Sequence, residues 1–409
     1  MTVGTVAPSA WPKARKLRIS GSYYATYLLL GLMLTSIGPC MNDLEEQTGS
    51  STSAVGFLVV ILSLGYMAGS IVGGRLYGGL FGHRIMSTSM LAMAAATLTI
   101  PWLGELWLLI VAFFLIGLAL GIVDVGGNTL LVWLYGSEVP PYMNALHLCF
   151  GIGAFIGPLV MNGFAAATGS AVNTYWLYAA LMLPAVLWLA EMPSPEAPTA
   201  AQASPALGGA LRRYWPIIAL ISAFFFMHMG AELAFGAYIT SYADDLFYSE
   251  SLARVVNSVF WGGLVAGRLL AIPLATRLRA GGMLRIDLLG AILGVGLILL
   301  LPDATAALWV GTIVLGMSIA SMIPSSINYA GERMPITGQI TALFLVGGSL
   351  GSTILPLIVG RLYGDAPNTR PEMMVYVTAI AVVAAVALFA ALALATRRSP
   401  AGEDAAITS

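Results

Sequence analysis

Stretches of about 20 apolar residues recur along the chain from residue 20 to residue 395. A helix of roughly 20 residues is long enough to cross the hydrocarbon core of a bilayer. Only 9% of the 409 residues are charged, against about 25% in an average soluble domain. The chain is therefore predicted to be a polytopic membrane protein, and its net charge of -1 argues against a nucleic-acid partner.

Clusters of Gly, Pro and charged residues divide the apolar sequence into twelve predicted helices, which makes the fold an all-α membrane protein. The predicted spans are 20–42, 53–80, 85–101, 106–134, 142–166, 174–190, 213–240, 252–274, 284–301, 305–329, 338–362 and 373–395.

The two halves of the chain resemble each other. "GRLYGGLFGHR" (74–84) aligns without a gap with "GRLLAIPLATR" (267–277), and the fifth helix of each half carries a Gly-rich motif, "GIGAFIG" or "GGSLGS". Small residues at helical spacing predict close helix contacts. Two repeated six-helix halves are the arrangement of major facilitator transporters, which bind solute between the halves.

A Pro-, Ala- and Ser-rich segment separates the sixth and seventh helices and is predicted to be a solvated linker. The predicted organisation is a cytoplasmic N-terminal segment (1–19), an N-terminal bundle (20–190), a cytoplasmic linker (191–212), a C-terminal bundle (213–395) and a cytoplasmic tail (396–409).

Lys and Arg residues concentrate in the loops on the side of the N-terminus, which predicts that both termini are cytoplasmic. No small-residue cleavage site follows the first apolar run, so we expect an uncleaved protein of the cytoplasmic (plasma) membrane. Cys40 and Cys149 lack metal-ligand spacing, and no metal or cofactor is expected.

Asp124 interrupts the apolar fourth helix, and Asn128 lies one turn further along the same face. A charged side chain at a helix centre costs about 2.5 to 3.5 kcal/mol on insertion scales, so it should face a cavity or a partner. One interpretation is a structural tie to a neighbouring helix, for example through His147. The other is a ligand for a cation or a solute.

Further polar pairs share helix faces. His228 and Glu232 in the seventh helix are predicted to carry a coupling cation or proton. Asn144 and His147 in the fifth helix are candidates for solute binding. In the eighth helix, Asn257 and Trp261 could bond hydroxyls and stack on a sugar ring; core packing of the tryptophan is the alternative.

Other polar and aromatic residues are given structural roles. Arg75, Arg84 and Arg268 are predicted to form a cytoplasmic gate. Three tyrosines of the first helix are predicted to anchor it at the membrane interface, and five acidic loop residues are predicted to be solvated. The tyrosines are Tyr23, Tyr24 and Tyr27, and the acidic residues are Asp43, Glu45, Glu46, Asp244 and Asp245.

Several motifs together resemble the sodium-dependent glucose transporter 1-like branch of the major facilitator superfamily, and more distantly the fucose permeases. They are "DVGGN" (124–128), "ALHLCFGIGAFIGP" (145–158), "GAELAFGAY" (230–238), "NSVFWG" (257–262) and "IPSSIN" (323–328), followed by "TG" (337–338). The resemblance implies alternating access and symport of a hexose-like sugar with Na⁺ or H⁺. It points to Asp124, Asn128, His147, Glu232, Tyr238, Asn257 and Trp261.

Two departures from these relatives bear on mechanism. The loop after the second helix lacks the aspartate of the superfamily's usual motif, and the first helix lacks the mid-membrane acid expected of fucose permeases. A proton-coupled exporter of drugs or metabolites is the alternative function. An enzyme is not expected, because an HExxH motif is absent and the acids and histidines form no nucleophile constellation at a recognisable spacing. The expected partners are a small solute and the lipid bilayer, with the protein acting as a monomer.

Overall fold

The computed structural model describes residues 11–77, 81–195, 207–246, 249–334, 338–364 and 368–397, and these residues form helices and no strands. The α-helices are α1 Lys13–Leu34, α2 Met41–Thr48, α3 Thr52–Leu76, α4 Gly82–Thr99, α5 Leu106–Tyr135, α6 Pro140–Thr168, α7 Thr174–Glu191, α8 Leu207–Leu246, α9 Glu250–Ala275, α10 Ala280–Leu300, α11 Thr305–Ile319, α12 Met322–Gly331, α13 Gly338–Tyr363 and α14 Glu372–Arg397. Residues 196–206 of the predicted linker lie outside the described part of the chain, as do residues 1–10 and 398–409 of the predicted terminal segments.

Within the described residues, eleven helical segments are long and apolar enough to cross a membrane, and a bent pair supplies a twelfth crossing. They form two six-helix halves, the N-terminal half from α1 to α7 and the C-terminal half from α8 to α14. We name the end of the bundle at which α1 begins the N-terminal side, and the opposite end, where α2 lies, the far side.

The first predicted span, 20–42, is not one helix. α1 ends at Leu34, and a 3₁₀ turn at Gly38–Cys40 leads into α2 at an angle of 46°. Pro39 lies in this turn, and proline cannot donate a backbone hydrogen bond within a helix. The predicted span 305–329 is likewise divided into α11 and α12 just before Pro324. Proline explains both interruptions.

Glycines bring the helices of each half close together, as predicted for the fifth helices. A Cβ on Gly153 of α6 would collide with the backbone carbonyl of Leu28 on α1. A Cβ on Gly351 of α13 would collide with the carbonyl of Phe226 on α8. The two Gly-rich motifs therefore fix equivalent helix pairs, α1 with α6 and α8 with α13, in the two halves.

Candidate functional site

Asp124 on α5 is half-buried, and side chains of α1 and α3 form hydrogen bonds to it. Its carboxylate accepts a bond from the Tyr66 hydroxyl on α3 (2.7 Å) and a longer one from the Asn128 amide (3.3 Å). Tyr27 of α1 donates to the Asp124 backbone carbonyl (2.7 Å) and accepts from Asn128 (2.7 Å). A carboxylate offers about four acceptor positions, so Asp124 retains capacity for a further ligand.

A chain of contacts continues from Asp124 into the C-terminal half. His147 on α6 packs edge-to-face against Tyr27, with ring centroids 5.8 Å apart, and interacts electrostatically with Asp124. Arg268 of α9 donates to the His147 backbone carbonyl (3.3 Å). Arg268 in turn interacts electrostatically with Glu232 on α8. The predicted polar residues of both halves are therefore brought together across the seam between the halves.

His228 and Glu232 are neighbours on α8, as their spacing predicts, with His228 Nε2 3.6 Å from Glu232 Oε2. The His228 side chain is 2% exposed and that of Glu232 is 20% exposed. Both border a cavity of about 10 Å³ inside the C-terminal half, whose other walls are apolar except for Thr378. We refer to Asp124, Asn128, Tyr27, Tyr66, His147, Arg268, Glu232 and His228 as the central cluster.

Arg268, which is predicted to be part of a cytoplasmic gate, joins the two halves through its bond to the His147 carbonyl (3.3 Å), and its gate role stays a prediction. Its counterpart in the sequence repeat, Arg75, is exposed at the last turn of α3. Arg84 is also exposed and lies over the ring of Phe81. α9 continues seven residues beyond Arg268, whereas α3 ends one residue after Arg75, so equivalent sequence positions occupy different depths. The gate role of Arg75 and Arg84 stays a prediction.

Asn257 and Trp261 form a second polar site nearer the far side. Asn257 donates to the Gly236 carbonyl (2.7 Å) and to Thr240 (3.0 Å), but its Oδ1 and the Trp261 Nε1 are buried without a described partner. Buried polar atoms without partners are uncommon in native structures. These two atoms therefore mark a place where a polar ligand could bind.

Trp261 also borders a cavity between the two halves, with Thr35 and Gly38 of the first span on the opposite wall. The cavity measures about 10 Å³, which is about the space one water molecule needs. Trp261 and Arg268 are seven residues apart on α9, or roughly 10 Å along the helix. A sugar-sized solute would therefore need the halves to separate here.

The remaining two candidates lie apart from these groups. Tyr238 is fully buried at the far side, where its hydroxyl fits against Gly56 of α3 and Gly360 of α13 and has no described hydrogen-bond partner. Asn144 is exposed in the first turns of α6 at the N-terminal side. The structure thus does not join either residue to the central cluster.

A polar network joins the halves at the far side. Arg254 of α9 donates to the Asp43 carboxylate (2.7 Å), the Glu250 carboxylate (2.9 Å) and the Pro39 carbonyl (2.9 Å). Asn42 donates to Asp244 (2.7 Å). The prediction that Asp43 and Asp244 are merely solvated is wrong, because the bend after α1 turns this acidic segment onto the C-terminal half.

The sequence interpretation also missed Tyr66 and gave Tyr27 the wrong role. Tyr27 was predicted to be an interfacial anchor, but it is buried and contacts the Asp124 carbonyl and Asn128. Its position about four turns into α1, deeper than an interfacial residue, was the available signal. Among the described residues, no group of three or more His, Cys, Asp or Glu could hold a metal ion.

Comparison with known proteins agrees with this architecture. Residues 23–356 match the family described as Major Facilitator Superfamily. The chain is 30% identical over 380 residues to sodium-dependent glucose transporter 1A of Mus musculus, covering 84% of this chain and 89% of that protein. It is 29% identical to sodium-dependent glucose transporter 1 of Homo sapiens, covering 84% and 73%. Major facilitator superfamily domain-containing protein 4A of Homo sapiens is 24% identical, covering 85% and 87%.

Solved structures share the fold at low sequence identity. A mutant of the nucleoside transporter NupG superposes with a TM-score of 0.72 at 17% identity, covering 93% of this chain and 99% of that one. A mutant of the peptide transporter POT gives a TM-score of 0.70 at 16% identity, covering 96% and 97%. The chain therefore belongs to the Major Facilitator Superfamily, and it is an integral membrane transporter and not an enzyme.

Proposed function

We propose that the protein is a secondary active symporter that moves a hexose-like sugar together with Na⁺ or H⁺ by alternating access. The observation that carries this proposal is the half-buried Asp124 carboxylate, which has acceptor capacity left after its bonds to Tyr66 and Asn128. A carboxylate in this position can take a cation that neutralises it, and neutralisation lowers the cost of enclosing it when the halves close.

The sugar is assigned to the space between Trp261 with Asn257 and the central cluster. Trp261 supplies an aromatic face, and the unpartnered Asn257 Oδ1 and Trp261 Nε1 supply an acceptor and a donor for hydroxyl groups. The names of the sodium-dependent glucose transporter relatives support the same substrate class and cation. Coupling follows if the cation and the sugar favour the occluded state only together.

The polar network at the far side indicates the direction of transport that this conformation supports. The network around Arg254 joins the halves at that side, whereas Asp124 is only half-buried. We assign the N-terminal side to the cytoplasm of a plasma membrane, because Lys13, Arg15, Lys16, Arg18, Arg75 and Arg84 lie there. Sugar bound from the far side would then be released to the cytoplasm.

Gradient-driven flux in proteoliposomes tests the proposal. Labelled hexoses are offered with an inward Na⁺ gradient and, separately, with an inward H⁺ gradient. We expect accumulation with one of the two ions, loss of that accumulation in Asp124→Asn, and retention in Asp303→Asn, which removes an exposed carboxylate between α10 and α11.

Either of two results would contradict it. Unchanged gradient-driven uptake in Asp124→Asn would show that this residue does not couple the cation to the sugar. Thermal stabilisation of the purified protein by lipophilic cations, without any response to sugars, would favour the proton-coupled exporter.

A further inference from the structure

A cavity of about 190 Å³ lies between the two halves at the far side, and we call it the far-side cavity. Its lining comes from α3 of one half and from α8 and α13 of the other, and includes Ser53, Gly56, Phe57, Tyr238, Gly360 and Arg361. A water molecule occupies roughly 30 Å³ in the liquid, so the cavity holds about six waters. That is the space that one hexose fills.

The Tyr238 hydroxyl lies at the inner end of this cavity. Phe57 and Arg361 are exposed and form the rim, whereas Tyr238 is fully buried. Its hydroxyl fits between Gly56 and Gly360, where a Cβ would collide with it, and has no described hydrogen-bond partner. Buried hydroxyls without a partner are uncommon in native structures. A polar atom of a ligand in the cavity would supply the missing partner.

The lining combines hydrogen-bonding groups with apolar surface. Ser53 and Tyr238 carry hydroxyls, and Arg361 carries several N–H donors. The ring of Phe57 adds an aromatic surface at the rim. A sugar presents hydroxyls around its edge and C–H groups on the faces of its ring. The lining therefore suits a small polyhydroxylated ring.

The charges around the cavity favour a neutral ligand over an anion. Glu45 accepts a bond from Thr52 (3.1 Å), which is next to the lining residues of α3. Asp245 accepts a bond from Tyr363 (2.6 Å), whose ring centroid lies 5.7 Å from that of Tyr238. Two carboxylates thus flank the cavity, and they offset the attraction of the lining arginine for an anion.

The far-side cavity is next to the small cavity at Trp261. Gly236 and Ala237 of α8 line the Trp261 cavity, and the following residue, Tyr238, lines the far-side cavity. α3 also contributes to both, and each cavity lies between the halves. A sugar in the far-side cavity is therefore placed to pass to Trp261 when the halves separate at this side.

We propose that the far-side cavity is an outer sugar site, in which one neutral hexose binds to Tyr238 and Arg361 before it reaches the inner site at Trp261. This inference rests on the proposed function for the choice of a hexose, and it adds a second binding site. Asp124 is not among the lining residues, so the outer site binds sugar without a coupling cation.

Protection of a cysteine from alkylation tests the outer site. Leu357 also lines the cavity, and Leu357→Cys is introduced into the full-length protein after the native Cys40 and Cys149 are replaced by Ala. The rate of reaction with a maleimide is measured on the purified protein in choline buffer without Na⁺, with D-glucose, D-galactose or D-mannose. Asp303→Cys, at an exposed position between α10 and α11, is the matched control for the reagent.

We expect a hexose to slow alkylation of Leu357→Cys and to leave Asp303→Cys unaffected. Adding Tyr238→Phe should raise the hexose concentration for half-protection about three- to tenfold, the size expected for one hydrogen bond between neutral groups. Adding Arg361→Gln should raise it about tenfold or more, because the lost donor is charged. The hydroxyl of Tyr238 has no described partner, so Tyr238→Phe should melt no lower than the parent protein.

Two further variants separate the outer site from other effects. Tyr242→Phe removes a hydroxyl one turn away on α8, outside the lining, and should leave half-protection unchanged. Trp261→Phe should also leave it unchanged, although Trp261 borders the inner site.

Transport of a hexose by the wild type, without protection of Leu357→Cys by that hexose, would overturn the inference and leave the proposed function intact. A half-protection concentration that rises in Trp261→Phe but not in Tyr238→Phe would also overturn it, because the cysteine would then report the inner site. Protection by inorganic phosphate and by none of the hexoses would assign the cavity to an anion instead. Protection by a hexose that neither ion gradient drives across the membrane would support the outer site and refute the proposed function.

Discussion

Removing the Arg254 side chain should open the far side. Arg254 is 4% exposed, and its Asp43 partner, 2.7 Å away in the other half, is 10% exposed. Deleting one partner of a buried pair costs about 3–5 kcal/mol, because the other charge stays buried without compensation. Asp43 would keep only its bonds from Ser170 Oγ and the Ala171 amide (both 2.9 Å).

This cost falls on the closed state alone, because separation of the halves on the far side hydrates Asp43. At about 1.4 kcal/mol per factor of ten, Arg254→Ala should shift the equilibrium towards the far-side-open state by roughly two to three and a half orders of magnitude. Glu250 provides a matched control. It contacts the same guanidinium at 2.9 Å but is 47% exposed and belongs to the same half, so Glu250→Gln should cost under about 1 kcal/mol.

Distance measurements between spin labels on the far-side ends of α3 and α13 report the change. We expect a longer distance population in Arg254→Ala and a distribution close to the wild type in Glu250→Gln. Identical distributions in the wild type and Arg254→Ala would refute the reasoning, because the ion pair between the halves would then contribute nothing to closure.

Three further predictions concern the remaining contacts. Tyr66→Phe removes the 2.7 Å donor to Asp124, which leaves the charge of the carboxylate less compensated, and it should tighten cation binding about tenfold or more; an unchanged midpoint in a cation-dependent melting assay would contradict this. Trp261→Phe keeps an aromatic ring but removes the unpartnered Nε1, so the half-saturation concentration for sugar uptake should rise about three- to tenfold; an equal value for the two proteins would place the indole outside the sugar site. Gly351→Val would force side-chain atoms against the Phe226 carbonyl and should destabilise the protein by about 1–3 kcal/mol, whereas Gly296→Ala, which meets open space, should leave the melting temperature unchanged or slightly higher.

Periodicity and composition were sufficient to predict the fold, because each span must satisfy its own backbone hydrogen bonds in lipid. The repeat of "GRLYGGLFGHR" and "GRLLAIPLATR" correctly indicated two related halves. The alignment did not predict the difference in depth between Arg268 and Arg75. Two aligned arginines can lie at different depths when one helix ends and the other continues, and single-sequence reasoning locates helix ends only to within several residues.

The candidate site was predictable where polar residues share one helix face. Asp124 with Asn128, and His228 with Glu232, are neighbours in the structure because residues four apart on a helix lie on the same side. Contacts between different helices follow no regular sequence spacing, so they could not be predicted in this way. The bonds from Tyr66 to Asp124 and from Arg254 to Asp43 join residues of different helices that are 58 and 211 positions apart in the sequence.

The central claim, that Asp124 couples a cation to solute movement across the seam, is tested most directly by comparing two fluxes in one variant. Reconstituted Asp124→Asn is assayed for equilibrium exchange of labelled sugar, with equal sugar on both sides, and for uphill accumulation under the cation gradient that drives the wild type. The account predicts that exchange persists while accumulation is lost, because the variant still binds sugar but no longer needs the cation. Accumulation equal to that of the wild type would contradict it.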